Sequence, residues 1–128
     1  MAGNELPICP VETTLGLISN RWKVLILRDL FTGTKRFGEL KKSLNGISQK
    51  VLTANLRDME KDGLLTRKAY AEVPPRVEYT LTDMGESLRP ILAAMFDWGM
   101  AYKTQNGSPA NERVEELGKT LRTVADAR

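Results

Sequence analysis

From Ser48 to Lys61 the apolar positions recur at helical spacing. At about 100° per residue, Val51, Leu52, Asn55, Leu56 and Met59 fall on one side, and Gln49, Lys50, Thr53 and Arg57 on the other. Ser48 can cap the start, and Gly63 stands where a helix ends through a left-handed residue. The pattern predicts an amphipathic helix with one packed side and one polar, partly basic stripe. Upstream, Pro10 suits a first helical turn, and a helix through Leu15, Leu17 and Ile18 to about Ser19 follows. Arg21–Thr32 is apolar almost all round, with Trp22, Val24, Leu25, Ile26, Leu27, Leu30 and Phe31, so it should be the central buried helix, ended by Gly33. Arg36–Leu44 predicts a short helix with Phe37, Leu40 and Leu44 inward and Lys41 and Lys42 outward, before an Asn45-Gly46 turn.

After Gly63 the period changes to two. Leu64–Ala71 and Arg76–Leu81 predict strands, the second with Val77, Tyr79 and Leu81 alternating with Arg76, Glu78 and Thr80. Pro74 and Pro75 between them cannot donate to a ladder and mark an exposed hairpin tip. Thr82 caps a long helix to about Lys103, bent at Pro90, whose apolar set is Met84, Leu88, Ile91, Leu92, Met95, Phe96, Trp98 and Tyr102. Asn106-Gly107 breaks the chain. Ser108-Pro109 then reads as the cap and first turn of a last helix with Val114, Leu117, Leu121 and Val124 on one face.

The predicted order is four helices, two strands and two helices, a mainly α architecture with a small β-hairpin (α+β). A buried helix, a short helix, a glycine turn and a polar-striped helix make a helix-turn-helix, and the hairpin makes it winged. A single domain over residues 1–128 is expected, with a DNA-binding core at about 21–81. The terminal helices, 10–19, 82–103 and 108–127, are left for dimerisation. A helix packed on one side, with amide, hydroxyl and cationic groups on the other, is what a major groove accepts. Its wing can reach a neighbouring phosphate or the minor groove. A solvated helix face is the plainer explanation of any single polar stripe.

Charge distribution favours the sharper explanation. The formal net charge is only +3, but residues 21–80 hold 13 Lys/Arg against 7 Asp/Glu, whereas residues 1–20 net −2 and residues 81–128 net −1. A basic middle between acidic flanks fits a central module facing a polyanion. With one cysteine and no histidine, an intramolecular disulfide is impossible and the usual zinc and haem ligand sets cannot be assembled. No metal or other cofactor is expected. The commonest general acid–base residue is missing and no catalytic constellation stands out, so an enzyme is not expected. No apolar run approaches the ~18 residues that span a bilayer, and the N-terminus lacks a signal-peptide pattern, which predicts a cytoplasmic protein.

A series of motifs then narrows the field. Cys9-Pro10-Val11-Glu12 is followed by Arg21-Trp22-Lys23, Arg36-Phe37-Gly38-Glu39-Leu40, Gly46-Ile47-Ser48-Gln49-Lys50-Val51-Leu52-Thr53, Leu56-Arg57 and Asp62-Gly63-Leu64. Val73-Pro74-Pro75-Arg76-Val77-Glu78-Tyr79 and Leu81-Thr82-Asp83-Met84-Gly85 close it. In this order the motifs resemble the HxlR-type winged helix-turn-helix regulators of bacteria, relatives of the MarR group, over about residues 9–103. The resemblance implies a dimeric DNA-binding transcriptional regulator, with a recognition helix at 48–61 and a wing at 72–76. It also places the family's N-terminal cysteine, a sensor of oxidants or electrophiles in several relatives, at Cys9.

Candidate contacts follow. Lys50 and Arg57 suit phosphate or guanine edges, Gln49 adenine and Thr53 phosphate or base, while Ser48, occupied as N-cap, suits phosphate at most. Lys41 and Lys42 suit phosphate only. Lys68 and Arg76 belong to the wing, where Arg76 could instead pair with Glu72 or Glu78. Phe96, Trp98 and Tyr102 suit a dimer interface, with a ligand pocket involving Trp22 as the other possibility. At a helix N-cap the Cys9 thiol would face free N–H groups and the positive dipole end, which favours a reactive thiolate; the plainer role is packing. The partners implied are a pseudo-palindromic duplex operator, a second copy and possible small-molecule effectors. The alternative is a winged-helix protein-protein interaction module that does not bind DNA.

Overall fold

A computed structural model of the chain describes residues 5–107 and 112–127, with side chains in the last helix described for 114–122. The elements are α1 (Pro10–Ile18), α2 (Arg21–Leu30), β1 (Lys35–Arg36), α3 (Phe37–Ser43), α4 (Gln49–Lys61), β2 (Leu65–Tyr70), β3 (Arg76–Leu81), α5 (Asp83–Glu86), α6 (Arg89–Gln105) and α7 (Glu112–Ala127). The expected cap at Ser108-Pro109 and the inward face of Val124 lie outside the described residues.

The winged helix-turn-helix is there, with α2 at its centre. Ile26, Leu27 and Leu30 of α2 pack with Leu40 of α3, Leu52, Leu56 and Met59 of α4, and Leu64 and Leu65 at the start of the hairpin. Each such side chain contributes about 1.5–3 kcal/mol when fully buried. Gly33, Gly46 and Gly63 take positive φ at the three turns, where a side chain would be strained.

Two differences from the sequence expectation have physical causes. The sheet has three antiparallel strands in the order β1-β3-β2, because Lys35 pairs with Tyr79 and Arg36 with Glu78. A two-residue strand shows no alternation to read. The long helix expected from Thr82 is two helices. Pro90 has no N–H to return to the carbonyl of Glu86, the last residue of α5, and it sits instead in the first turn of α6. Thr82 does cap α5, its hydroxyl accepting from Gly85 N–H at 3.1 Å. Within the described part of α7, Leu121 is buried in the core, and Leu117 packs against that core together with Phe96.

Arg89 ties the added helices to the domain. It is buried, stacks on Phe31, and pairs with Glu86 at 3.0 Å. It also donates to the carbonyls of Phe31 at 2.9 Å and Thr120 at 2.6 Å. A buried guanidinium is tolerable only when its donors are met in this way.

Candidate nucleic-acid interface

Helix α4 is fixed first by apolar packing and then by polar contacts to the start of α2. Asn55, 7% exposed, accepts from Asn20 Nδ2 at 2.9 Å and donates to the Val51 carbonyl at 2.9 Å. Asn20 Oδ1 caps α2 by accepting from Lys23 N–H at 2.9 Å. The Lys23 ammonium, itself buried, stands 3.7 Å from Asp58. The two contacts span a turn of α4, so they set its rotation as well as its position. Satisfied polar contacts of this kind are directional where apolar packing is not.

That rotation turns the polar stripe outward. Gln49, Lys50 and Arg57 are exposed and Thr53 is half-buried. Ser48 caps the helix, its hydroxyl accepting from Val51 N–H at 3.1 Å. Val51, expected on the packed side, is 37% exposed, because it lies at the edge of the apolar arc.

Between α4 and the sheet runs a cleft of about 460 Å³. Gln49, Thr53, Arg57 and Glu60 form its helix side, Arg67, Val77 and Tyr79 its sheet side, and Phe37 and Leu56 complete the lining. Among the described residues, neither Arg57 nor Arg67 is in an ion pair. Sequence reasoning missed Arg67. The signal was its parity: Arg67 shares a strand face with buried Leu65, and it pairs with Tyr79 across the ladder.

The hairpin tip is different. Arg76, a candidate DNA contact, is held by Glu72 at 3.0 Å and Glu78 at 3.7 Å, and its guanidinium lies 3.9 Å from the Tyr70 ring centre. Its charge is matched within the hairpin, by the two carboxylates that the sequence offered as the alternative to a DNA contact. Lys68 is exposed, with its ammonium 5.0 Å from the same ring. Lys41 and Lys42 are exposed in the last turn of α3.

Of the proposed interface aromatics, Trp98 and Tyr102 are 70% and 56% exposed and stack at 5.5 Å. With Ile91 and Met95 they form one exposed apolar stripe along α6. Phe96 does not share it. It lies on the face of Leu92, is half-buried, packs on the core and stacks under Arg122. Phe96 instead lines an apolar pocket of about 210 Å³ with Val24, Leu25, Arg28, Leu92, Met95, Leu117 and Leu121. A second exposed apolar set, Ile8, Val11 and Leu15, surrounds α1. Cys9 is the N-cap of α1, exposed, with no hydrogen bond from its side chain to the helix end. Among the described residues no cluster of metal-ligating side chains occurs, and no helix is long and apolar enough to cross a membrane.

A family model described as HxlR-like helix-turn-helix matches residues 17–107. The chain belongs to that family. The HTH-type transcriptional regulator YdeP of Bacillus subtilis (strain 168) is 48% identical over 95 residues, 74% of each chain. YtfH of Escherichia coli (strain K12), also an HTH-type transcriptional regulator, is 46% identical over 90 residues, 70% of this chain and 71% of that one. A solved structure of the redox regulator HypR in its reduced form superposes with a TM-score of 0.73 at 40% identity, covering 79% of this chain and all of the other. The chain is thus a DNA-binding transcriptional regulator of the winged helix-turn-helix type.

Proposed function

We propose that the protein is a cytoplasmic homodimer that binds a pseudo-palindromic operator and has no catalytic activity. Helix α4 enters the major groove, with Gln49, Thr53 and Arg57 at base edges and Ser48, Lys50, Lys41 and Lys42 at phosphates. The observation that carries the reading is the rotation of α4: the Asn20–Asn55 and Lys23–Asp58 contacts hold its unpaired polar stripe outward. The second copy covers the Trp98–Tyr102 stripe, because a solvent-exposed aromatic stack of this kind favours burial at an interface. A protein-protein module without DNA has no use for Arg57 standing without a carboxylate beside a basic central segment.

The test is fluorescence anisotropy on the duplex upstream of its own reading frame and on a scrambled duplex, over a salt series. Neutralising six or more phosphates should weaken binding by about 10³-fold or more between 50 and 200 mM salt. Binding that ignores salt, or none at low salt, would reject the reading.

Regulation by a signal has two supports. HypR is a redox regulator, and Cys9 is exposed at the N-cap of α1. With one thiol per chain, its oxidised partner is the other subunit or a small thiol. Diamide should change operator affinity of the wild type and leave Cys9→Ser unaffected. The apolar pocket between α2, α6 and α7 supports a second signal, a small apolar effector.

A further inference from the structure

We infer that the cleft between α4 and the sheet seats a DNA backbone phosphate, held from the sheet side by Arg67. This rests on the DNA-binding reading and moves the wing's main DNA contact from the tip to the base of the hairpin.

Three observations converge on that cleft. Arg57 and Arg67 line its opposite walls, and neither is in an ion pair among the described residues. Of the other hairpin cations, Arg76 is paired with two carboxylates and lies on the Tyr70 ring, and Lys68 stands over that same ring outside the cleft lining. The position is also right for a phosphate. With a recognition helix in the major groove, the elements flanking it contact the sugar–phosphate backbone, and the hairpin is the element that flanks α4 across this cleft. A planar guanidinium with free donors suits a phosphate oxygen pair.

Glu60 lines the cleft too, and it marks the limit of the seat. Its carboxylate pairs with neither arginine, so it adds negative charge facing the DNA strand. The phosphate is held by Arg67 against the nearby charge of Glu60, a balance that a substitution at Glu60 should tip.

A phosphate contact positions the protein without reading sequence. Arg67→Gln should therefore weaken operator and scrambled duplex alike, by about tenfold, and lower the slope of log affinity against log salt by about one. Arg67→Lys keeps the charge and should keep the slope. Arg76→Gln should leave the slope unchanged. Glu60→Gln should tighten both duplexes.

The double variant separates direct contact from mere neutralisation of Glu60. If Arg67 touches phosphate, Arg67→Gln weakens binding by the same factor in the Glu60→Gln background. If that loss disappears there, Arg67 only offsets Glu60, and the inference is overturned. Thermal melts of each variant confirm that the fold is retained. Wild-type binding with an unchanged slope in Arg67→Gln would also overturn the phosphate seat while leaving the DNA-binding reading intact. Absence of salt-dependent binding by the wild type would instead remove the reading on which it rests.

Discussion

At the base of the hairpin Arg67 looks across a cleft towards Arg57, and no carboxylate holds either side chain among the described residues. At the tip of the same hairpin Arg76 is clasped by Glu72 and Glu78 and laid on Tyr70. Both arginines belong to the wing, and both count equally towards the basic middle of the chain. Only the first has charge to spare. A cation that binds a phosphate releases condensed counterions, whereas one already paired must first give up its carboxylates. The comparison teaches that net charge along a sequence locates a basic region, while the pairing of each side chain decides where an anion settles.

The comparison can be broken from the helix side most severely. Leu56 is buried and lines the cleft beneath the stripe. Leu56→Ala should lower stability by about 2–5 kcal/mol, seen in urea or thermal melts, and reduce binding of every duplex. Full stability in that variant would mean that α4 is not anchored as described.

A smaller effect should follow loss of the buried amide. Asn55→Ala removes the acceptor of Asn20 and should cost about 1–3 kcal/mol. Because the contact sets the rotation of α4, operator binding should fall more than binding of scrambled DNA. Equal losses on both duplexes would show that Asn55 supports the fold without orienting the stripe.

The smallest effect should come from the tip. Arg76→Gln breaks partly exposed ion pairs, which are worth about 0–1 kcal/mol, and should change operator affinity by less than about twofold. A tenfold loss would restore the tip as a DNA contact and erase the contrast with Arg67.

Much of this was legible in the chain. The stripe of α4 was readable because helical periodicity alone separates Gln49, Thr53 and Arg57 from Leu52, Leu56 and Met59, and the structure keeps that division. Ser48 and Thr82 announce their helices by chemistry, and both caps are made. Three features were not legible, each for a physical reason. β1 is defined only by pairing with a strand more than 40 residues away, so nothing local marks it. Phe96 and Trp98 are close in sequence but lie on different faces of α6, and pooling their apolar character hid which one a partner could reach. Arg67 looked like one exposed strand residue among several, since its orientation depends on which face of the hairpin turns to α4. Ion pairing is likewise tertiary: the sequence offered Glu72 and Glu78 as partners for Arg76 without deciding whether they or DNA would hold it.

The central claim is that the outward stripe of α4 reads sequence in a major groove. The most direct measurement compares Arg57→Ala with wild type on operator and scrambled duplexes at one salt concentration. Loss of a guanine contact should cost about 1–3 kcal/mol on the operator and clearly less on scrambled DNA, lowering the specificity ratio. An Arg57→Ala protein that loses affinity equally for both duplexes, or for neither, would contradict the assignment of α4 as the recognition helix.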